Sequence, residues 1–73
     1  MKRFSKEDIE NIKIGDILPN CFGQMKEVTK ITFRGKTPKG KLFVGVRQQF
    51  SDNSTLTNTY TEGKYPPIIG STS

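Results

Sequence analysis

Histidine and tryptophan are absent from this chain, and cysteine occurs once, at Cys21. Without histidine the zinc ligand sets common in small domains cannot be assembled, and one cysteine allows no internal disulfide. No metal, cofactor or covalent staple is therefore expected, and Cys21, beside Phe22 and after Pro19-Asn20, reads as a small hydrophobe at the core's edge. An enzyme made from this sequence would have to work through carboxylate, lysine, tyrosine or cysteine chemistry. Glu7, Asp8, Glu10 and Asp16 crowd into one helical segment, where capping and solvation account for them, and no spacing pairs two carboxylates across a cleft. Gly35 to Gly40 has the spacing of a phosphate-binding loop but continues as Lys41-Leu42, without the required Ser or Thr, and lies between two strands rather than opening a helix. A small ribonuclease using Arg, Lys and Glu27 is the one catalytic alternative, and the chain reads as a non-enzyme. No apolar run approaches the roughly 20 residues that cross a bilayer. Met1-Lys2-Arg3-Phe4 has the charge of a signal-peptide start, but Ser5-Lys6-Glu7-Asp8 stands where an apolar stretch would follow, so a cytoplasmic protein without membrane contact is expected.

What the chain does contain is positive charge in one place. Of its net +5, residues 1 to 25 contribute nothing, with four basic and four acidic side chains. Lys26 to Arg47 holds Lys26, Lys30, Arg34, Lys36, Lys39, Lys41 and Arg47 against Glu27 alone, and the remainder holds Lys64 against Asp52 and Glu62. Charge confined to one supersecondary unit implies an electropositive patch, and such patches most often meet phosphate.

The 73 residues make one small domain over 1–70 with a frayed tail at 71–73, near the lower size limit for an unstapled core. A short helix is expected over about 5–13. Ser5 is the N-cap with Asp8 three residues on, Phe4 and Ile9 are placed for a hydrophobic staple, and Ile9 and Ile12 share a face. The sheet is expected over about 16–69. Gly15-Asp16 turns into Ile17-Leu18, Pro19-Asn20 stops it, and Met25 to Arg34 and Lys41 to Phe50 form a hairpin around Gly35 to Gly40. Ser51-Asp52-Asn53-Ser54 then turns into Thr55 to Thr61, and Ile68-Ile69 could close the far edge. The fold class is mostly β (small α+β): a short N-terminal helix, then a bent antiparallel sheet of four to five strands or a small SH3-like or OB-like barrel, which hides strand edges by closing.

Register decides what the charge is for, because a slip of one residue moves every side chain to the other face. Setting Phe33 opposite Leu42, Ile31 opposite Val44 and Thr29 opposite Val46 gives one apolar face, to which Leu56 and Tyr60 add if they oppose Phe50 and Val46. Val28 then falls outside, which hints at a bulge. Gln48 and Asn58 meet on the apolar side, where they must bond to each other, line a pocket, or imply a slipped third strand. The polar face carries Lys30, Thr32, Arg34, Lys41, Phe43, Arg47, Gln49, Thr57 and Thr59. A phenylalanine among cations suits stacking on unpaired bases while Lys and Arg follow phosphates, and Gly45 beside Phe43 would leave room for a base to lie flat. Phe43 would instead be core if Ile9 and Ile12 covered it.

Ile14-Gly15-Asp16-Ile17-Leu18, then Gly23, Val28 and Ile31, and the glycine-flanked hairpin, resemble the strand and turn rhythm of SH3-like small barrels over about two-thirds of the chain. The resemblance implies a five-stranded barrel that binds nucleic acid or protein. The expected function is a binding module that contacts single-stranded or structured nucleic acid through Lys30, Arg34, Lys36, Lys39, Lys41, Phe43 and Arg47. The alternatives are a protein adaptor or inhibitor that meets an acidic partner on this face or adds a strand at an edge, and a basic surface with no polyanion partner.

Overall fold

The computed structural model describes residues 3–66. One helix, α1 (Lys6–Glu10), precedes four strands: β1 (Ile17–Pro19), β2 (Met25–Lys36), β3 (Leu42–Ser51) and β4 (Ser54–Thr61). The strands pair antiparallel in sequence order and curl into a half-barrel, so the protein is mostly β and of the small-barrel class. The expected strand at Ile68-Ile69 and the tail at 71–73 lie outside the described residues.

Local chemistry sets the ends of these elements. Ser5 Oγ accepts from the Asp8 amide and Asp8 returns a carboxylate to the Ser5 amide, a complete capping box. The helix stops at Glu10 rather than reaching residue 13, with Asn11 as its C-cap. Gly15 then takes φ +97, and the Asp16 carboxylate accepts from the Lys13 amide and pairs with its ammonium at 3.2 Å, which holds the Asp16 pKa below the ordinary value. Asn20, fully buried, shapes the β1–β2 turn: its Oδ1 accepts from the amides of Phe22 at 2.8 Å and Gln24 at 3.0 Å.

Inside the curl, Ile9 and Ile12 of the helical segment pack with Val28, Val44, Val46 and Tyr60, and Phe4, Leu18, Ile31 and Leu42 border this core. Its floor is polar and satisfied. Gln48 Oε1 accepts from Asn58 Nδ2 at 2.7 Å, and Gln48 Nε2 donates to the carbonyls of Leu18 at 2.9 Å and Lys26 at 3.3 Å. Tyr60 Oη lies 2.5 Å from the Pro19 carbonyl and 2.7 Å from Gln48 Oε1, so β4 is clasped to β1 across the inside of the sheet. Burial pushes the Tyr60 hydroxyl pKa up to about 12. The expectation that Gln48 and Asn58 bond to each other holds, although Gln48 sits opposite Leu56 and Asn58 opposite Val46. The β3–β4 register is thus displaced by two residues from the expected one, which preserves the faces. Phe50 is not core: it is partly exposed, with its ring 5.6 Å from that of Phe22.

The expected β2–β3 register is wrong, for an identifiable reason. Val28 opposes Gln48, Lys30 opposes Arg47, Ile31 opposes Val46, Phe33 opposes Gly45 and Arg34 opposes Val44, with shifts that leave Thr29 and Thr32 without a partner. Each bulge inserts one residue into the alternation, so Val28, Ile31 and Arg34, three apart, share the inner side. The offset that Val28 hinted at is the first of these bulges. The second carries Phe33 out of the expected core and turns Arg34 inward.

Candidate functional site

Paired residues of antiparallel strands share a face, so the register reads directly as rows across the outer surface. The first row is Lys30, Arg47 and Thr57; the second is Phe33, Gly45 and Thr59; the third is Gly35, Phe43 and Thr61. Lys30 and Arg47 stand directly opposite each other, and among the described residues neither has a carboxylate within ion-pair distance. Like charges in that position oppose folding, and an anion lying between them would relieve it.

The two rings beside this pair rest on glycine. A Cβ built on Gly45 would fall 2.1 Å from the Phe33 ring, and one on Gly35 would fall 3.0 Å from the Phe43 ring. Neither glycine has the positive φ that would demand it for the backbone, so what each supplies is room for a neighbour's ring. The rings meet edge to face with centroids 5.6 Å apart. Phe33 keeps 44% of its surface in solvent and Phe43 is half-buried. Ile9 and Ile12 go into the core, and Phe43 is not among the hydrophobics packed against it. The flat space expected over Gly45 is filled by Phe33, so a base would stack on that ring rather than on the glycine.

The seven residues expected to form the site are thus divided. Lys30, Phe43 and Arg47 share the outer face. Arg34 does not: its Nη1 donates to the Ile9 carbonyl at 3.0 Å and its Nη2 to the Ile12 carbonyl, which satisfies acceptors where the helical segment ends. Lys36 pairs with Leu42 at the end of the hairpin, on the same side of the sheet as Arg34, and is exposed. Lys39 and Lys41 lie in the loop, which Thr37 closes by donating its amide to the Lys41 carbonyl at 2.8 Å. Lys41 Nζ is 3.9 Å from Glu62 Oε2, while Glu62 Oε1 accepts from the Leu42 amide at 3.1 Å.

Phe33 was missed as a surface residue, and its signal was present in Gly35 and Gly45. Glycine inside a strand marks close approach of another group, and each of these lies opposite a phenylalanine. Among the described residues no cluster of His, Cys, Asp and Glu could hold a metal, and no helix is long and apolar enough to cross a membrane. No protein-family model matches the chain, no curated protein is similar to it, and no solved structure matches it.

Proposed function

We propose that this protein is a non-enzymatic binding module for single-stranded nucleic acid, with the outer face of the half-barrel as its platform. The observation that carries the reading is the juxtaposition of an unpaired Lys30–Arg47 couple with the Phe33–Phe43 step, in which Phe33 is exposed and Phe43 half-buried. Cations that follow phosphates beside rings that accept unstacked bases are the two components a sequence-tolerant single-strand binder needs. A half-barrel of the small-barrel class suits a binding role without specifying the ligand.

The test is fluorescence anisotropy of labelled single-stranded and duplex DNA and RNA at several salt concentrations. Single strands should bind more tightly than duplexes, affinity should fall as salt rises, and Phe33→Ala should weaken binding about tenfold, since base stacking on an aromatic ring is worth about 1–3 kcal/mol. Absence of binding at low salt would overturn the proposal. A protein partner would then lead, and β4 favours one: among the described residues it pairs only with β3, leaving its other edge for strand addition.

A further inference from the structure

Where the aromatic step ends, a hollow of about 480 Å³ begins. Thr61 belongs to both: it opposes Phe43 across the sheet and lines the hollow. One wall is the β2–β3 loop, with Thr37, Lys39 and Lys41; the other is the turn after β4, with Glu62 and Lys64. Both walls are fastened. The Lys41 amide donates to Thr37 Oγ1 at 3.2 Å, and the N-terminal segment ties down the second turn, with the Phe4 amide donating to the Lys64 carbonyl at 3.0 Å and the Gly63 amide to the Phe4 carbonyl at 2.7 Å.

The charge of this hollow separates it from the rest of the platform. Three lysines face one carboxylate, a balance of +2. Glu62 is already engaged, by the Leu42 amide and by Lys41, so Lys39 and Lys64 are left without an ion-pair partner among the described residues. A phosphodiester within a strand carries one negative charge, whereas a phosphate monoester carries about −1.5 to −2 at neutral pH. Position agrees with charge. From Arg47 to Lys41 is six residues of extended chain, about 20 Å at roughly 3.4 Å per residue, and the two rings lie between. A short strand stacked on Phe33 and Phe43 would run out of platform at the hollow.

We infer that the hollow between the β2–β3 loop and the turn after β4 takes the terminal phosphate monoester of the bound strand. The inference rests on the single-strand reading of the outer face and makes the protein a reader of strand ends. Lys39 and Lys64 supply the charge that an internal phosphodiester would leave uncompensated. Glu62 holds Lys41 back and so limits the affinity of the hollow for anions.

The experiment is competition of unlabelled pentanucleotides, bearing a 5′-phosphate, a 3′-phosphate or hydroxyl groups at both ends, against one labelled strand. One of the phosphorylated ends should compete about tenfold better than the hydroxyl-ended strand. The double variant K39Q/K64Q should abolish that difference, with thermal unfolding unchanged. Glu62→Gln keeps an amide oxygen for the Leu42 N–H while releasing Lys41, and should enlarge the difference several-fold. Equal competition by all three strands, or a preference that survives K39Q/K64Q, would overturn the inference while leaving the platform intact. A phosphate preference in strands whose affinity is unaffected by Phe33→Ala would retain the hollow and sink the platform. Absence of binding by every strand would end both.

Discussion

Arg34 and Arg47 lie on neighbouring strands of one hairpin and do opposite work. Arg34 is on the inner side, where it stays exposed but gives two of its five N–H donors to helical-segment carbonyls, whereas Arg47 stands outside against Lys30 with no carboxylate nearby. The same contrast runs through the whole sheet. Inside, Gln48, Asn58 and Tyr60 leave no buried side-chain polar atom without a partner among the described residues. Outside, Lys30 and Arg47 have no ion-pair partner among the described residues, and the Phe33 ring keeps 44% of its surface in solvent. A basic residue counted in a sequence is a candidate for a partner only after the fold has taken its share.

Five changes would sharpen or break this division, and the largest effect belongs inside. Gln48→Ala strands Asn58 Nδ2 and removes one donor from each of two backbone carbonyls, so it should cost about 3 kcal/mol in denaturant unfolding. If it costs less than ~1 kcal/mol, the inner network is not what holds the curl. Alkaline titration reads the same network through Tyr60. Its pKa is raised from 10 to about 12, so the neutral hydroxyl's contribution is complete below pH 10 and drains away as pH rises towards 12. Tyr60→Phe should lose that pH dependence.

Next comes the arginine pair itself. Arg34→Gln should destabilise by about 1–2 kcal/mol, because two carbonyls lose a charged donor, and leave nucleic-acid affinity nearly unchanged. Arg47→Gln should change stability by less than ~0.5 kcal/mol, weaken single-strand binding several-fold and reduce the salt slope by about 0.7, the value for one phosphate contact. An exchange of these two outcomes would show that the inner and outer assignments are reversed. The last change is Gly45→Ala. Its backbone has no positive φ, but the new methyl would displace the Phe33 ring from its seat, so stability should fall by about 1 kcal/mol and binding should fall towards that of Phe33→Ala.

Element order and turn positions were legible because their chemistry is local. The capping box at Ser5 and Asp8, Pro19-Asn20 and the glycine-flanked loop each act within a few residues. The face of each residue in β4 was also legible, since Leu56 and Tyr60 keep a strict alternation and an even register shift preserves it. The faces of β2 were not. Thr29 and Thr32 look like ordinary strand residues, and what makes them bulges is the demand of Val28 and Ile31 for one core, a tertiary requirement with no local signature. Arg34 was misplaced for the same reason. Its partners, the Ile9 and Ile12 carbonyls, lie more than 20 residues away in the chain, so no local pattern announces them.

The bulges in β2 also act as phase shifters. If the chain paired residue for residue beyond Ile31 without the bulge at Thr32, Phe33 and Arg34 would exchange sides, burying a ring and releasing a cation without altering net charge. Deleting Thr32 would instead remove the bulge and leave Phe33 outside and Arg34 inside, so the binding face should survive that single-codon deletion.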